Sequence, residues 1–502
     1  MQTNWIAEAV NYQINLRSLA AREPRNAIEA AREVESLPSP LQYVTRNLDA
    51  LKTLGVNLLH LMPPFRMGVE SRKGIGSPYA TSDFLSVDPE YGTMDDLKAF
   101  IRAAHQQGFR VILGMVPNHT SRDHVWMTEH PDYYVRDEQG TALYDLDWSD
   151  SAKLDYTNPS LRTAMLEIYD FWLSILGTDP DGEPDGVDGF RVDMAHFIND
   201  KGFWDEALPE LFRRHAQRQI LFMAECYGAA NNLDLFARGF NAAYDDDFYK
   251  VCAYCYAVDE QGRTCIRLSP DAVQNYDFRD QYEAFQRGGI AAAMEACLMK
   301  YERELAPGPE SPRLARYIDN HDEGRGVYRF GEGAALAAMQ LLFFSGHAIP
   351  FLLTGQEFGA VNRPPIHERF NLCDKGPRVV RGVDVEARPG IEFEGNLFAR
   401  GREMRQQWYN FYRDLIQLRA AFPEFALGDF RLLEAGEQCP GNQRTVIAFE
   451  RRMGEGILRC AVNLGPDPRK LNHASLFARP AIYGGMVNDT LQPFTAIVVR
   501  SA

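Results

Sequence analysis

Two carboxylates, Asp193 and Glu225, each end an apolar stretch that has the composition of a buried strand. Asp193 belongs to DGVDGFRVDMAHF (185–197), and Glu225 closes QILFMAE (219–225). About one strand–helix unit separates them, so neighbouring parallel strands would hold both groups at a shared pocket. Cleavage of a glycosidic bond needs such a pair, because one carboxyl group protonates the leaving oxygen while the other attacks or stabilises the sugar carbon. Their separation, about 5 Å for retention and nearer 8 Å for inversion, stays open at this stage.

Arg191 precedes Asp193 by two residues, and side chains alternate along a strand, so both project from the same side. A fixed cation lowers the pKa of a neighbouring carboxylate, which would keep Asp193 ionised as a nucleophile. Glu225 follows the apolar run ILFMA, and burial would raise its pKa toward that of an acid that donates a proton at neutral pH. The alternative is an ion pair between Arg191 and Asp193 that only holds the rim of the fold together.

Eight short apolar runs alternate with segments of helical periodicity and would position these groups. The predicted strands span residues 9–14, 56–62, 110–116, 187–193, 219–225, 242–248, 315–322 and 349–355. Helix signals support the alternation: Thr93 and Asn158-Pro159 begin two helices, and Gly55 and Gly108 end two. The pattern predicts an α/β chain that closes into a (β/α)₈ TIM barrel, with an open doubly wound sheet as the alternative.

Polar residues fall where the predicted strands end, which is where barrel enzymes carry their chemistry. Besides Arg191, Asp193 and Glu225, these residues are Asn118-His119, Asn320-His321-Asp322 and Gln356-Glu357. One polar residue at a strand end is usually a hydrogen-bonded structural group, but so many titratable groups at one edge indicate an active site.

Two regions interrupt the repeat and predict the domain organisation. Residues 120–158, after the third strand, are rich in Asp, Tyr, His and Trp and form a long insertion that we expect to meet the substrate. Residues 425–502 change to short strand-like runs with Gly, Pro and Asn turns. The sequence therefore predicts a catalytic barrel over 1–424, with the insertion as a subdomain, and a C-terminal all-β sandwich over 425–502.

Composition excludes several classes of protein. The net charge is −16 and no cluster of Lys and Arg is dense enough for a line of phosphates, so nucleic acid is not an expected partner. No stretch is long and apolar enough to span a bilayer, and the N-terminus lacks the features of a signal peptide. Eight scattered cysteines favour reduced thiols, and we expect a cytoplasmic protein. The oligomeric state stays open.

Two short patterns are given structural interpretations. Cys252 and Cys255 form a CxxC among strand-like apolar residues, with no second pair at zinc-site spacing, so we predict buried thiols rather than a metal or redox site. The sequons at Asn118 and Asn488 would not be used in the cytoplasm.

Together these motifs resemble the α-amylase family, glycoside hydrolase family 13, over nearly all 502 residues. GFRVD is similar to the region around the nucleophile, which implies Asp193 as nucleophile and Arg191 as its partner at the substrate. FMAE resembles the acid/base region and implies Glu225. IDNHD resembles the last region and implies Asp322 as transition-state stabiliser, with His321 hydrogen bonding to the sugar.

The resemblance extends to the sugar-binding and metal-binding positions. VPNH implies His119 at the same sugar, and GSPYATSDFLSVDPEYGTMDDL implies Tyr79 stacked on the sugar ring. The family also implies retention of the α configuration and a C-terminal β-sandwich. No cofactor is required, but Asn118 stands where calcium-binding members have a ligand, and Asp155 in KLDYTNP is a second candidate ligand.

The chain departs from the family pattern at two places. Gly114 stands where the family usually has Asp, so one support of the arginine–carboxylate network is missing or supplied elsewhere. His196 and Phe197 replace the Lys-His that starch-degrading amylases usually carry after the nucleophile. We expect His196 at the substrate, and short substrates rather than long starch chains.

The leading hypothesis is a retaining α-glucosidase-type glycosidase of carbohydrate metabolism that cleaves short malto-oligosaccharides or a disaccharide. The second hypothesis keeps the same carboxylates but gives a transglycosylase or isomerase, in which a sugar hydroxyl or phosphate intercepts the glycosyl-enzyme. The third hypothesis is a carbohydrate-binding protein without catalysis, which the intact Asp193, Glu225 and Asp322 oppose.

Overall fold

The computed structural model describes residues 4–20, 38–306, 308–361, 363–364, 366–367, 406–437, 439 and 443–501. Eight parallel strands pair in chain order, and the last pairs with the first, so the sheet closes into a barrel. The predicted (β/α)₈ barrel is confirmed, and the open sheet is excluded. The barrel strands are β1 (Asn11–Ile14), β2 (Leu58–Leu61), β3 (Arg110–Met115), β4 (Gly189–Val192), β5 (Leu221–Ala224), β6 (Ala242–Tyr244), β7 (Arg313–Arg316) and β8 (Ala348–Leu353).

All eight strands differ from their predicted bounds, and the sixth and seventh differ most. The sixth ends at Tyr244 rather than residue 248, because the Asp245 side chain accepts a hydrogen bond from the backbone of Phe248 and caps a helix. The seventh ends at Arg316, so the segment 319–322 lies in the loop beyond the strand. The first difference brings a helix directly after β6, and the second lengthens the loop after β7.

Helices surround the barrel and fill most of the connections between strands. The α-helices described are α1 (Trp5–Glu8), α2 (Arg17–Ala20), α3 (Pro40–Arg46), α4 (Leu48–Leu54), α5 (Met94–Gln106), α6 (Trp126–Glu129), α7 (Pro159–Leu173), α8 (Phe203–Arg214), α9 (Ala229–Ala237), α10 (Asp246–Cys255), α11 (Arg279–Glu302), α12 (Gly326–Phe330), α13 (Glu332–Phe344), α14 (Gln406–Ala421) and α15 (Glu424–Leu427). Thr93 caps α5 in a reciprocal pair with Asp96, Asn158 caps α7, and Gly55 ends α4 in the left-handed conformation.

Shorter elements complete the loops. The 3₁₀ segments are Pro131–Tyr133, Ala195–Lys201, Pro270–Gln274, Tyr276–Phe278, Gln356–Phe358 and Ala474–Phe477. The two-stranded antiparallel ribbons pair Phe65–Met67 with Thr81–Val87, His119–Ser121 with Ser151–Lys153, Gly177–Thr178 with Pro184–Asp185, Tyr256–Val258 with Thr264–Ile266, and Arg469–Lys470 with Thr490–Leu491. The second of these ribbons ties the two ends of the insertion together directly above β3, and so holds the insertion over the barrel mouth.

The C-terminal region folds as an antiparallel sheet of five strands in the order β9-β10-β11-β13-β12. They are β9 (Asp429–Leu433), β10 (Val446–Met453), β11 (Gly456–Asn463), β12 (Ala481–Gly484) and β13 (Ala496–Ser501). Alternation along β10 buries Ile447 and Phe449 in the core shared with the barrel and Val446 and Ala448 in a second, smaller core. The sheet therefore has the barrel on one face and the ribbon at 469–470 and 490–491 on the other, which agrees with a C-terminal all-β domain.

The predicted CxxC lies on a helix and not among strands. Cys252 and Cys255 are both in α10, where they are buried free thiols, and burial raises the pKa of Cys255 well above its ordinary value. No helix among the described residues is long and apolar enough to cross a membrane.

Candidate active site

A cavity of about 260 Å³ opens at the carboxyl ends of the barrel strands. Its wall combines groups that follow the strands with side chains from the 66–80 loop and the insertion. The lining residues are Lys73, Ser77, Tyr79, Ala80, His119, Leu146, Trp148, Asp150, Ser151, Asp193, Met194, Glu225, Tyr227, His321, Asp322, Ile366 and His367. The structure thus brings six of the predicted site residues to one wall.

Arg191 joins the two carboxylates at the base of this cavity. Its Nη1 donates to Asp193 Oδ1 at 2.6 Å, and its Nη2 lies 2.8 Å from Glu225 Oε2. All three groups are buried. The guanidinium therefore bridges the two carboxyl groups.

Two further groups orient the Glu225 carboxyl. The backbone N–H of Met194 donates to Oε2 at 3.1 Å, and the Tyr227 hydroxyl donates to Oε1 at 3.1 Å. Met194 holds a left-handed backbone conformation, with φ of 43°, which costs energy for a residue other than glycine. This conformation turns the chain directly after Asp193 and aims the amide at Glu225.

Burial and neighbouring charges give the carboxyl groups of Asp193, Glu225 and Asp322 different pKa values. Burial raises the pKa of Glu225 to about 7, although Arg191 opposes the shift. It also raises the pKa of Asp193: Arg191 lowers this pKa, as predicted, but desolvation outweighs the cation, so the net shift is upward. The pKa of Asp322 falls to about 2, because desolvation is outweighed by His321, 3.0 Å away, together with Arg191 and Arg363.

His321 connects Asp322 to the barrel and to Tyr79. Gln13 Nε2 donates to His321 Nδ1 at 3.1 Å, while His321 Nε2 lies 2.6 Å from the Tyr79 hydroxyl and 3.0 Å from Asp322 Oδ2. The rings of Tyr79 and His321 are stacked, with centroids 5.2 Å apart and planes 9° apart. The aromatic face and the Asp322 carboxylate are therefore held as one unit.

His119 and Trp148 form the opposite part of the wall. His119 Nε2 donates to the Tyr79 carbonyl at 3.1 Å, and burial lowers the pKa of His119 to about 4, so its ring is neutral near pH 7. Trp148 packs on His119 with centroids 5.2 Å apart and stacks on Phe197 at 6.0 Å. The insertion thus contributes Trp148 to the cavity wall, and Phe197 supports the Trp148 ring without lining the cavity itself.

Two residues expected at the substrate do not line the cavity. Arg191 is fully buried beneath Asp193 and contacts carboxylates instead. His196 lies outside the wall, with its ring 4.8 Å from Phe197 and 6.3 Å from Tyr227. Burial lowers the pKa of His196, so its ring contributes no charge near pH 7.

The residues proposed as calcium ligands make contacts within the protein, although Asn118 Oδ1, the atom that would bind the ion, is buried without a hydrogen-bond partner among the described residues. Asn118 Nδ2 donates to Asp145 Oδ2 at 2.9 Å, and the Lys153 ammonium lies 2.7 Å from Asp145 Oδ1. The Asp155 carboxylate instead accepts hydrogen bonds from the backbone and side chain of Thr157. Calcium prefers six to eight oxygen ligands, whereas here a lysine already neutralises the carboxylate beside Asn118. No group of three acidic, His or Cys side chains in the described regions is arranged for a metal.

Comparison with known proteins decides the family. The model of the alpha-amylase catalytic domain matches residues 39–144 and 134–395, which is more than half of the chain. The chain belongs to the alpha-amylase family. It is an enzyme of that family, as the resemblance of its motifs predicted.

This alpha-amylase family chain is similar to several known proteins, and it covers a different share of each of them. Alpha-amylase 3 of Dictyoglomus thermophilum is 25% identical over 491 residues, 92% of this chain and 85% of that one. The trehalose synthase/amylase of Mycolicibacterium smegmatis is 30% identical over 242 residues, 41% of this chain but 36% of that protein. An alpha-amylase structure from Lactobacillus plantarum superposes with a TM-score of 0.68 at 22% identity, covering 99% of this chain and 100% of that one.

Three features of this alpha-amylase family site escaped prediction from sequence. Tyr227 follows Glu225 by two residues, and that spacing could have identified it. Trp148 lies in the insertion that was expected to meet substrate, but no pattern distinguished it from the other aromatic residues there. The left-handed conformation of Met194 has no signal in the sequence, because Met does not favour it.

Proposed function

We propose that the chain cleaves α-glucosidic bonds of short malto-oligosaccharides or α-glucosides with retention, through a glycosyl-enzyme on Asp193. The observation that carries this proposal is the placement of the Asp193 and Glu225 carboxyl groups beside the two terminal nitrogens of one guanidinium, at 2.6 Å and 2.8 Å, at the base of the cavity. Inverting enzymes hold their carboxyl groups about 6.5–9.5 Å apart to admit a water molecule, whereas retaining enzymes hold them about 5 Å apart. Two carboxyl groups beside one guanidinium are kept close together, which supports retention.

The first step divides the work between the two carboxyl groups. Asp193, paired with Arg191 Nη1, attacks the anomeric carbon, and Glu225 gives its proton to the departing glycosidic oxygen. Glu225 suits the acid role because its pKa is about 7 while the amide of Met194 and the hydroxyl of Tyr227 fix its orientation.

The second step reverses the proton transfer. Glu225, now ionised, takes a proton from a water molecule that attacks the glycosyl-enzyme, and Asp193 departs as a carboxylate. Asp322, with a pKa of about 2, stays ionised throughout and stabilises the positive charge that develops on the sugar. The Tyr79 ring, held against His321, lines the cavity where the sugar would bind.

The size of the cavity supports short substrates. A volume of about 260 Å³ is below the roughly 300–1,000 Å³ of typical pockets for larger ligands. Trp148 and Lys73 both line it, and the Lys73 ammonium donates to the Asp147 carbonyl at 2.6 Å. We infer that the cavity receives the end of a chain rather than the middle of a long glucan.

Two further expectations remain part of the proposal. Lys153 beside Asp145 supports an enzyme that works without calcium. Every cysteine in the described regions is a free thiol, which supports a reducing compartment such as the cytoplasm.

A second candidate is transfer of the glucosyl group to another sugar. The relative named trehalose synthase/amylase favours it, and so does the insertion that covers the cavity with Trp148, since exclusion of water protects a glycosyl-enzyme. Both candidates use Asp193, Glu225 and Asp322.

The test combines a substrate panel with single substitutions. We expect activity on at least one of maltose, maltotriose, trehalose and sucrose, and chromatography of the products separates free glucose from new linkages. Asp193→Ala should lower kcat by about a thousandfold or more, whereas Asp155→Asn, a control whose carboxylate bonds to Thr157, should stay within about twofold. Mass spectrometry after an α-configured fluorosugar inhibitor should find the label on Asp193.

The proposal is contradicted by two results. Release of the β-anomer as the first product would exclude retention. Full activity in Asp193→Ala, Glu225→Gln and Asp322→Asn would exclude this site altogether.

A further inference from the structure

We propose that Tyr244, at the end of β6, is the residue that positions Arg191 beneath the two carboxyl groups of the site, and this inference rests on the proposed function. Tyr244 is fully buried, and its hydroxyl accepts a hydrogen bond from Arg191 Nε at 3.2 Å. Nη1 of the same guanidinium donates to Asp193, and Nη2 lies 2.8 Å from Glu225 Oε2. Tyr244 thus holds the side of the guanidinium that the carboxyl groups leave free.

The neighbouring strand cannot supply this contact. Gly114 on β3 is the residue paired with Arg191 in the sheet, and a Cβ atom placed on it would lie 2.7 Å from Pro63 Cδ and 2.9 Å from Pro63 N. Carbon atoms do not approach so closely, so the ring of Pro63 occupies the space of any side chain at this position. Support for Arg191 must come from another direction.

The layered packing of a barrel provides that direction. Side chains from alternate strands share one layer inside a (β/α)₈ barrel. Here β2, β4, β6 and β8 contribute His60, Arg191, Tyr244 and Phe351, with ring centroids 5.6 Å apart for Tyr244 and Phe351 and 6.1 Å for His60 and Phe351. Tyr244 therefore reaches Arg191 across β5.

The tyrosine ring contributes as well as the hydroxyl. Arg191 Cζ lies 5.2 Å from the centroid of the Tyr244 ring and 5.7 Å from that of Tyr79. Cations over aromatic faces at such distances are attracted to them, and desolvation strengthens the attraction. The guanidinium is thus held by two rings from outside the carboxyl pair.

Because the Tyr244 phenol is neutral, it affects the proton of Glu225 only through the position of Arg191. Burial raises the pKa of Tyr244, so its phenol stays protonated and leaves the charge of Arg191 to Asp193 and Glu225. The charged and titratable groups that act on Arg191 and Glu225 are Asp193, His196, Tyr227, Tyr79, Tyr244, His60, His321 and Asp322. Among these the cation of Arg191 opposes the effect of burial on Glu225, so a displaced Arg191 leaves Glu225 protonated to higher pH.

Tyr244→Phe removes the hydroxyl, and Tyr317→Phe is its matched control. Tyr317 is equally buried, its ring is 5.4 Å from that of Tyr244, and its hydroxyl has no hydrogen-bond partner among the residues that the structure describes. We expect kcat to fall about tenfold or more in Tyr244→Phe with KM changed less than about threefold, because a hydrogen bond to a buried charge is lost. The alkaline limb of kcat/KM should move up by about half to one pH unit. Tyr317→Phe should leave both quantities at the wild-type values.

A readout that needs no turnover separates this inference from the proposed function. The Tm of the wild type, Tyr244→Phe and Tyr317→Phe is measured from pH 5 to pH 9. The fall in Tm that accompanies ionisation of Glu225 should extend to higher pH in Tyr244→Phe alone. If the wild type is inactive on all substrates, the proposed function fails while the Tm profiles still test Tyr244. If Tyr244→Phe does not fold, 3-fluorotyrosine at position 244 weakens the hydroxyl as acceptor and the ring as a cation partner at nearly constant volume. Identical pH profiles for the position 244 protein and Tyr317→Phe would overturn the inference.

Discussion

Raising the pH from 6 to 8 should remove most of the activity on maltose, because Glu225 loses the proton that it must give to the leaving oxygen. The pKa of Glu225 is about 7, and kcat/KM follows the protonation of the free enzyme. The ionised form persists at alkaline pH, so the loss should be reversible when the pH is lowered.

The size of the loss follows from the fraction of protonated Glu225. With a pKa of about 7, that fraction is about 90% at pH 6 and about 10% at pH 8, so kcat/KM should fall about tenfold, with half of the loss near pH 7. Asp322 does not contribute over this range, because its pKa is about 2.

Two substrates separate the acid step from other effects of pH. The departure of fluoride needs little help from an acid, so kcat/KM for α-glucosyl fluoride should change much less than that for maltose. Glu225→Gln is the matched variant: it should lose about 10²–10⁴-fold in kcat/KM on maltose and show no alkaline limb near pH 7. A limb for maltose that begins above pH 9, or a parallel fall for the fluoride, would refute the assignment of Glu225 as the acid.

Three other predictions address stability, metal dependence and binding. The pKa of Glu225 is about 7 in the folded chain and about 4.5 when unfolded, so its contribution to stability is lost as the pH rises through 7. The free energy of unfolding of Glu225→Gln, measured in urea, should therefore rise by up to about 3 kcal/mol relative to that of the wild type between pH 5 and pH 8. A difference between the two proteins that does not change with pH would contradict this prediction. Dialysis against EDTA should leave Tm and activity unchanged, since Lys153 pairs with Asp145, and a rise in Tm of more than about 5 °C on adding calcium would oppose that interpretation. Trp148→Ala should raise KM for maltotriose about tenfold and change kcat less, whereas Trp126→Ala, outside the cavity, should leave KM unaltered.

The barrel could be predicted because each of its strands is a short apolar run, a signal that is local in the sequence. The bounds of a strand were harder to predict where strand propensity competes with a helix cap. Residues 242–248 contain apolar and aromatic residues that suit a strand, but the capping hydrogen bond of Asp245 to Phe248 begins α10 instead. A side-chain cap outweighs strand propensity there.

The site was predicted as far as its groups follow strands. Asp193, Glu225 and His321 could be placed because a barrel gathers the ends of its strands at one face. The net shift in the pKa of Asp193 could not, because Arg191 is visible in the sequence while the depth of burial is not. Trp148 and Tyr244 act through contacts between residues distant in the chain, and no spacing reports such contacts.

The contact between Gly114 and Pro63 also limits the routes by which this site can change. A carboxylate introduced at position 114 alone would meet the Pro63 ring at 2.7 Å before it could reach Arg191. Position 63 must therefore change first, and that change by itself opens a cavity without any gain for the guanidinium. Of the two orders, only the one that begins at position 63 avoids a steric clash, and its intermediate is destabilised by a cavity.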